Sequence, residues 1–366
     1  MKILLLSAYD ADSHSYWRQQ LVAQFTQYQW TQLVLPGRYF NWRIRGNSLQ
    51  WALTEQRTLE QHFDLIIATS MVDLSALKGM VPNLAGIPSL VYFHENQFAY
   101  PVQQQEYLEP MMVNLYSAVC ATRIAFNSAY NQHSFLQGVE ALLQRLPEKL
   151  PTSLLTDLEA KSTLLPVPVS LQSRPAQTLG HIPKVPQLVW NHRWEYDKGP
   201  DLLLASLREL RRRGIKFKLH LLGQQFRQQP EALVTLQAEF KDCLGQVGYL
   251  PDRADYEALL QRADYVLSTA QHEFQGIAVT EAILCGCLPI LPRQLSYPEL
   301  IGKEYCYPSH QSQACQAQAL ADQLLYWQGL AQQQRQSIWQ NMPVHTSIWS
   351  YLAAPYKRLI SATVGH

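Results

Sequence analysis

The chain has 366 residues, enough for two domains of ordinary size that each bury a core without disulfide or metal staples. Its 30 basic residues face 29 acidic ones, a balance that excludes a generally polycationic binder while still allowing a local basic surface to hold RNA. The opening MKILLLSAYD is too short an apolar run for a signal peptide, no later run approaches a membrane span, and six scattered cysteines read as reduced structural thiols, so the expected setting is the cytoplasm.

Ile3 to Leu6 reads as a buried parallel strand, followed by helical spacing over Trp17 to Phe25. Further strands are expected at Leu33 to Leu35, Leu65 to Ala68 and Leu90 to Phe93, an open α/β pattern that places a first Rossmann-like domain over 1–170. Ligand-facing residues should lie beyond the carboxyl ends of such strands. His94-Glu95-Asn96 stand at such an end, either facing a ligand or forming a helix-start hydrogen-bond network. Between the second and third strands, Arg38 to Arg45 interleaves cations with Tyr39, Phe40 and Trp42. That mixture suits an RNA loop, with arginine on phosphate and an aromatic ring on an exposed base, or else a folded loop anchored by its rings.

Prolines crowd PVPVSLQSRPAQTLGHIPKVPQ over 166–187, where a linker is expected. A second Rossmann-like domain over 185–335 opens with the strand LVWN and continues through a helix at Leu202 to Arg212 and a strand at Phe217 to Leu222. A helix at Tyr256 to Arg262 and a strand at Tyr265 to Ser268 follow. Arg211-Arg212-Arg213 reads better as a solvated helix end than as an RNA contact. Apolar anchors at Ile338 to Trp339 and Ile348 to Leu352 suggest that 336–366 crosses back onto the first domain.

The sharper chemistry lies in the second domain. Arg193 and Lys198 fall between an expected strand and an expected helix, so both cations can meet a diphosphate, though alone they read equally as a surface cluster with local salt bridges. In HEFQGIAVTEAILCG, Glu273 and Glu281 flank Gly276, which lets backbone approach a ligand, and Ile277 begins a helix whose amino end can face phosphate. Glu273 would meet either sugar hydroxyls or a polarised reacting region, and Glu281 would accept from ribose hydroxyls. A buried helix through Glu281 to Gly286 makes an ordinary surface placement hard to maintain.

On these residues the chain resembles glycosyltransferase family 4, and more narrowly the tRNA-queuosine alpha-mannosyltransferase group. The narrower likeness is carried by Ser13-His14, PGRYFNWRIRGNS, YFHENQFAYP, FNSAYNQHSFL and NHRWEYDKGP. The turn Tyr9-Asp10-Ala11-Asp12-Ser13 lacks the double glycine common in that family. The resemblance implies a GT-B architecture of two facing Rossmann-like domains with an interdomain cleft, and mannose transfer from GDP-mannose to queuosine in tRNA with retention. It implies no cofactor and no obligatory metal. It assigns catalytic roles to His94, Arg193, Lys198 and Glu273, and donor binding to His14, Arg193, Lys198, Gly276, Ile277 and Glu281. Acceptor binding would fall to Arg38, Trp42, Arg43, Glu95 and Asn96. Two other readings stay open from the residues alone: transfer from another nucleotide sugar to a small-molecule, glycan or lipid acceptor, and a noncatalytic RNA-binding protein on the same scaffold. The oligomeric state is not set by any of these motifs.

Overall fold

The computed structural model describes residues 1–100, 108–147, 149–151, 153–171, 184–225, 228–309 and 312–365. The chain divides into two compact units, Met1–Pro168 together with Trp349–His366, and Val169–Ile348. Part of the proline-rich linker, 172–183, lies outside the described residues.

Unit 1 is built on strands β1 (Lys2–Asp10), β2 (Gln29–Pro36), β3 (Leu65–Thr69), β4 (Ser89–Phe93), β5 (Arg123–Phe126) and β6 (Ser162–Leu164). They form a six-stranded sheet in the order β2-β1-β3-β4-β5-β6, with every pairing parallel. β3 and β4 are buried along their whole length, the pattern of strands covered on both faces by helices. Strand order reverses between β1 and β3, which opens a crevice at their carboxyl ends.

Unit 2 carries β7 (Gln187–Asn191), β8 (Lys218–Leu222), β9 (Leu244–Gly248), β10 (Tyr265–Leu267) and β11 (Leu288–Ile290). These run parallel in the order β11-β10-β7-β8-β9, so the reversal falls between β7 and β10. Its core includes Trp190, Trp194, Leu207, Leu221, Val266 and Ile283, all buried. Trp339 belongs to this core and donates to the Ile283 carbonyl at 2.9 Å. The return to unit 1 therefore begins at Trp349 rather than at 336, because the Trp339 anchor is satisfied within unit 2.

That return is a helix, Trp349–Val364, belonging to unit 1. The Tyr356 hydroxyl accepts from Trp17 Nε1 at 2.9 Å and lies 3.2 Å from the Tyr92 hydroxyl and 3.1 Å from the Pro166 carbonyl. The segment Arg38 to Arg45 also differs from the loop expected there. A helix runs over Phe40–Thr54, led in by Tyr39 at a φ of 60°. Ile44, Asn47, Ser48, Trp51 and Ala52 bury its inner face, and this helical spacing outweighs the loop-like mix of cations and rings at its start.

Among the described residues, no helix is long and apolar enough to cross a membrane. Among the described residues, the cysteines form no disulfide.

Candidate functional site

In unit 2 the residues at the carboxyl ends of β7 and β10 converge at the strand-order reversal. After β7 the chain turns through a short helical turn, Tyr196–Lys198, into Gly199, which has a φ of 65° and leads into the helix Pro200–Arg212. A β-carbon on Gly199 would stand 2.0 Å from the Thr269 carbonyl oxygen, so only glycine lets the loops after β7 and β10 lie this close. The closeness delivers Lys198 to the β10 loop. Its ammonium donates to the His272 carbonyl at 2.7 Å and to Glu273 at 3.3 Å, and it lies 3.1 Å from Asp197.

Lys198 is 7% exposed. Burial alone would lower its ammonium, but the Glu273 and Asp197 carboxylates outweigh that, and the net shift is upward. Burial would likewise raise the Glu273 carboxyl. The positive charge of Lys198, with smaller help from His192 and His272, reverses this and holds the carboxyl at about 2. At neutral pH the pair is thus fully ionised. Arg193 is more exposed, with its guanidinium 3.0 Å from Glu195.

Gly276 has a φ of 78° and precedes the helix Ile277–Leu284, where a β-carbon would press on Tyr297 at 3.2 Å. One turn into that helix Glu281 is buried, with Oε1 accepting from Arg253 at 2.7 Å and Oε2 from the Tyr256 hydroxyl at 3.0 Å. Burial pushes its carboxyl up, against the opposing pull of Arg253. The helix Arg253–Arg262, capped by the Asp252 side chain, presents both partners. Asn191 at the end of β7 completes the link, donating to Tyr256 at 3.1 Å and to the Ala278 carbonyl at 2.7 Å. Each Glu281 oxygen keeps acceptor capacity beyond these bonds.

In unit 1, His14 and His94 stack with centroids 4.2 Å apart and planes at 24°. Trp17 stands edge-on to His94 at 4.9 Å and stacks on Tyr92 at 4.4 Å, so the Tyr356 bonds brace this group from the C-terminal helix. Burial, and then the neighbouring His14, push His94 well below the usual imidazole range, which keeps it neutral. Glu95 lies 4.0 Å from His14. Asn96 is fully buried. Its amide donates to Asn131 and Ser134 at 2.9 Å each, and its oxygen accepts from the backbone of Phe98 and Ala99. Asn131 in turn donates to Asn127, and Asn127 to the His94 carbonyl at 2.8 Å. Asn96 thus holds the loop after β4, with no oxygen or nitrogen left pointing outward.

The predicted acceptor residues on the helix Phe40–Thr54 and just before it do not share one setting. Trp42 is 56% exposed, with its ring lying over Gly46, and Arg38 is exposed beside Tyr39. Arg43 is buried and donates to Gln50 at 2.9 Å, so reaching a phosphate would require it to leave that place. The basic run in unit 2 is paired internally: Arg212 and Arg213 hold Glu209, and Arg211 lies over Phe240. Among the described residues, no group of three or more His, Cys, Asp or Glu side chains is set to hold a metal ion.

Sequence reasoning missed Asp197, Arg253, Tyr256 and Tyr356. Asp197 stands inside NHRWEYDKGP and was within reach of a charge argument. Nothing in the spacing ties Arg253 and Tyr256 to Glu281, or Tyr356 to Trp17.

The fold resembles that of a sucrose-phosphate synthase from Thermosynechococcus elongatus, at 15% identity over 99% of this chain and 100% of that one, with a TM-score of 0.67. It also resembles the N-terminal domain of a Candida albicans trehalose-6-phosphate phosphatase, at 11% identity over 99% of each chain and a TM-score of 0.71. The fold is of the GT-B type, and residues 176–337 match the family described as glycosyl transferases group 1. Residues 2–169 match the family described as tRNA-queuosine alpha-mannosyltransferase N-terminal. The tRNA-queuosine alpha-mannosyltransferase of Drosophila melanogaster is 35% identical over 285 residues, 75% of this chain and 74% of that protein. The chain belongs to the tRNA-queuosine alpha-mannosyltransferase family.

Proposed function

We propose that this protein transfers mannose from GDP-mannose to queuosine in tRNA, in the cytoplasm, with retention at the anomeric carbon. The observation that carries the reading onto this chain is the ionised, buried Lys198–Glu273 pair at the strand-order reversal of unit 2, in a chain of that family. A buried ammonium beside an accessible arginine suits a diphosphate leaving group, whose charge grows as the glycosidic bond weakens.

The three contacts of Lys198 suggest how the donor engages. Its bond to Glu273 is the longest, at 3.3 Å, and is the one most readily exchanged for a phosphate oxygen. Release of Glu273 then frees its carboxylate to accept hydroxyls of the hexose. Arg193 meets the diphosphate by exchanging Glu195, and the amino end of Ile277–Leu284, opened by Gly276, offers backbone donors to the same group. Glu281, oriented by Arg253 and Tyr256, accepts from the ribose.

Retention follows from front-face substitution. The acceptor hydroxyl of queuosine attacks on the side from which GDP departs, and a phosphate oxygen of the leaving group takes the proton. No side chain is needed as a base, which fits a neutral His94 that can hold a sugar hydroxyl without moving a proton. His14 is assigned to the donor phosphate. Arg38 and Trp42 are assigned to the tRNA, as an exposed cation and ring, and Glu95 to acceptor hydroxyls.

The test is mass analysis of nucleosides after incubating the purified protein with queuosine-containing tRNA and GDP-mannose, with UDP-sugars and queuosine-free tRNA as controls. A donor-dependent hexose adduct on queuosine is the expected result. An adduct formed only with a UDP-sugar, or none with folded protein and intact tRNA, refutes the proposal.

A further inference from the structure

Asn191 is the last residue of β7, and its side chain is buried. The amide sits between two other elements, donating to the Ala278 carbonyl in the helix Ile277–Leu284 at 2.7 Å and to the Tyr256 hydroxyl oxygen in the helix Arg253–Arg262 at 3.1 Å. A carbonyl only accepts, so Ala278 selects the NH2 side of the amide and fixes which way the group points. Both amide hydrogens are thereby committed. Oδ1 meets no hydrogen-bonding partner among the described residues. A buried oxygen left unpaired costs stability, so what this side chain contributes lies in its two donors.

The bond to Tyr256 continues into Glu281. With its oxygen taken by Asn191, the Tyr256 hydroxyl gives its one proton to Glu281 Oε2 at 3.0 Å. Hydrogen bonds in such a chain polarise one another, and each fixes the position of the next. Glu281 Oε1 accepts from Arg253 at 2.7 Å, while Arg253 Nε holds Glu257 at 2.8 Å. An arginine fork favours capture of both oxygens of one carboxylate. Tyr256 prevents that by claiming Oε2, and Asn191 holds Tyr256 in the place from which it does so.

We propose that Asn191 is a positioning residue for ribose recognition: through the Tyr256 hydroxyl it keeps the Glu281 carboxylate turned away from full capture by Arg253 and open to the ribose of the donor nucleotide. The inference rests on the assignment of Glu281 to the ribose and adds the residue that sets its orientation. The bond to Ala278 is not what places the helix Ile277–Leu284, because Val279, Ala282 and Ile283 bury it in the core of unit 2. Loss of the Asn191 donors therefore reaches the ribose site and spares the diphosphate.

The experiment is calorimetric titration of the whole protein with GDP and with 2′,3′-dideoxy-GDP, which lacks the ribose hydroxyls. The proteins are the wild type, Asn191→Leu, Asn191→Ala, Tyr256→Phe and the double variant Asn191→Leu/Tyr256→Phe. Leucine keeps nearly the shape of asparagine and removes both donors; alanine gives the same reading with a smaller side chain. The expected result is that each single variant weakens GDP about fivefold and leaves 2′,3′-dideoxy-GDP within about twofold. The double variant should be no weaker than the worse single one by more than about twofold, since both residues act through one chain of bonds. Equal weakening of the two nucleotides by the Asn191 variants, no change in either, or multiplied losses in the double variant overturns the proposal. A wild type that binds both nucleotides equally is a separate failure, that of the ribose assignment to Glu281, and removes this inference with it.

Discussion

Replacing Glu273 by glutamine removes one negative charge from beside Lys198 with little change in shape, and its cost should depend on pH in a calculable way. The Glu273 carboxyl is held at about 2 in the folded protein against an ordinary value of 4.5. A depressed carboxyl contributes stability that is present above its unfolded value and lost as pH falls through the folded one. The full shift corresponds to about 3 kcal/mol at pH 7, falling to about 1 at pH 3 and to under about 0.5 at pH 2. The side chain is mostly buried, so solvent screening removes little of this. Denaturant unfolding of wild type and Glu273→Gln across pH 2–7 reads the difference. The gap in stability should therefore be about 3 kcal/mol wider at pH 7 than at pH 2, with most of the narrowing between pH 4.5 and 2. A gap independent of pH would mean that Glu273 does not depend on the Lys198 charge, and the exchange proposed for donor binding would lose its basis.

Other outcomes are equally open to measurement. Glu281→Gln should weaken GDP-mannose binding, since it converts one oxygen of the carboxylate into a donor and disturbs the bonds to Arg253 and Tyr256; calorimetry with an unchanged isotherm contradicts the ribose assignment. Gly199→Ala should cost at least about 2 kcal/mol in denaturant unfolding, because its φ of 65° is strained for alanine and the new carbon meets the Thr269 carbonyl. Trp42→Ala should change stability by no more than about 0.5 kcal/mol while raising KM for tRNA and leaving donor binding intact. A marked fall in melting temperature would reassign the ring to packing on Gly46.

Legibility from sequence followed burial. β1, β3, β4 and β7 carry near-continuous apolar runs, and each was readable to within a few residues. β5, β6, β9 and β11 were not: β6 and β9 hold no buried apolar run of their own, and β5 and β11, though buried, are only four and three residues long. Arg38 to Arg45 misled because its rings and cations resemble a surface loop, while the residues that make it a helix, Asn47, Ser48 and Trp51, come later. At the site, Lys198 and Glu273 carry local motifs, so their meeting was foreseeable from two short strings. The partners of Glu281 were not, because Arg253 sits in an unremarkable helix start and owes its role to a strand order that no local window contains. The asparagines that brace the β4 loop show the same limit: each looks like an ordinary polar residue until the fold collects them.

Unit 1 is assembled from two stretches of chain separated by all of unit 2. During synthesis, therefore, unit 2 emerges whole and can fold on the ribosome, its two end residues Val169 and Ile348 joined by a single isolated β-bridge, before unit 1 has its last helix. Until Tyr356 arrives, Trp17 Nε1 and the Tyr92 hydroxyl, in the interior beside His94, lack the hydroxyl that joins them. The loop to be closed between Trp17 and Tyr356 would be entropically long in an unfolded chain, but a folded unit 2 shortens it to the span between its own ends. The first domain to be translated is thus the last to be finished.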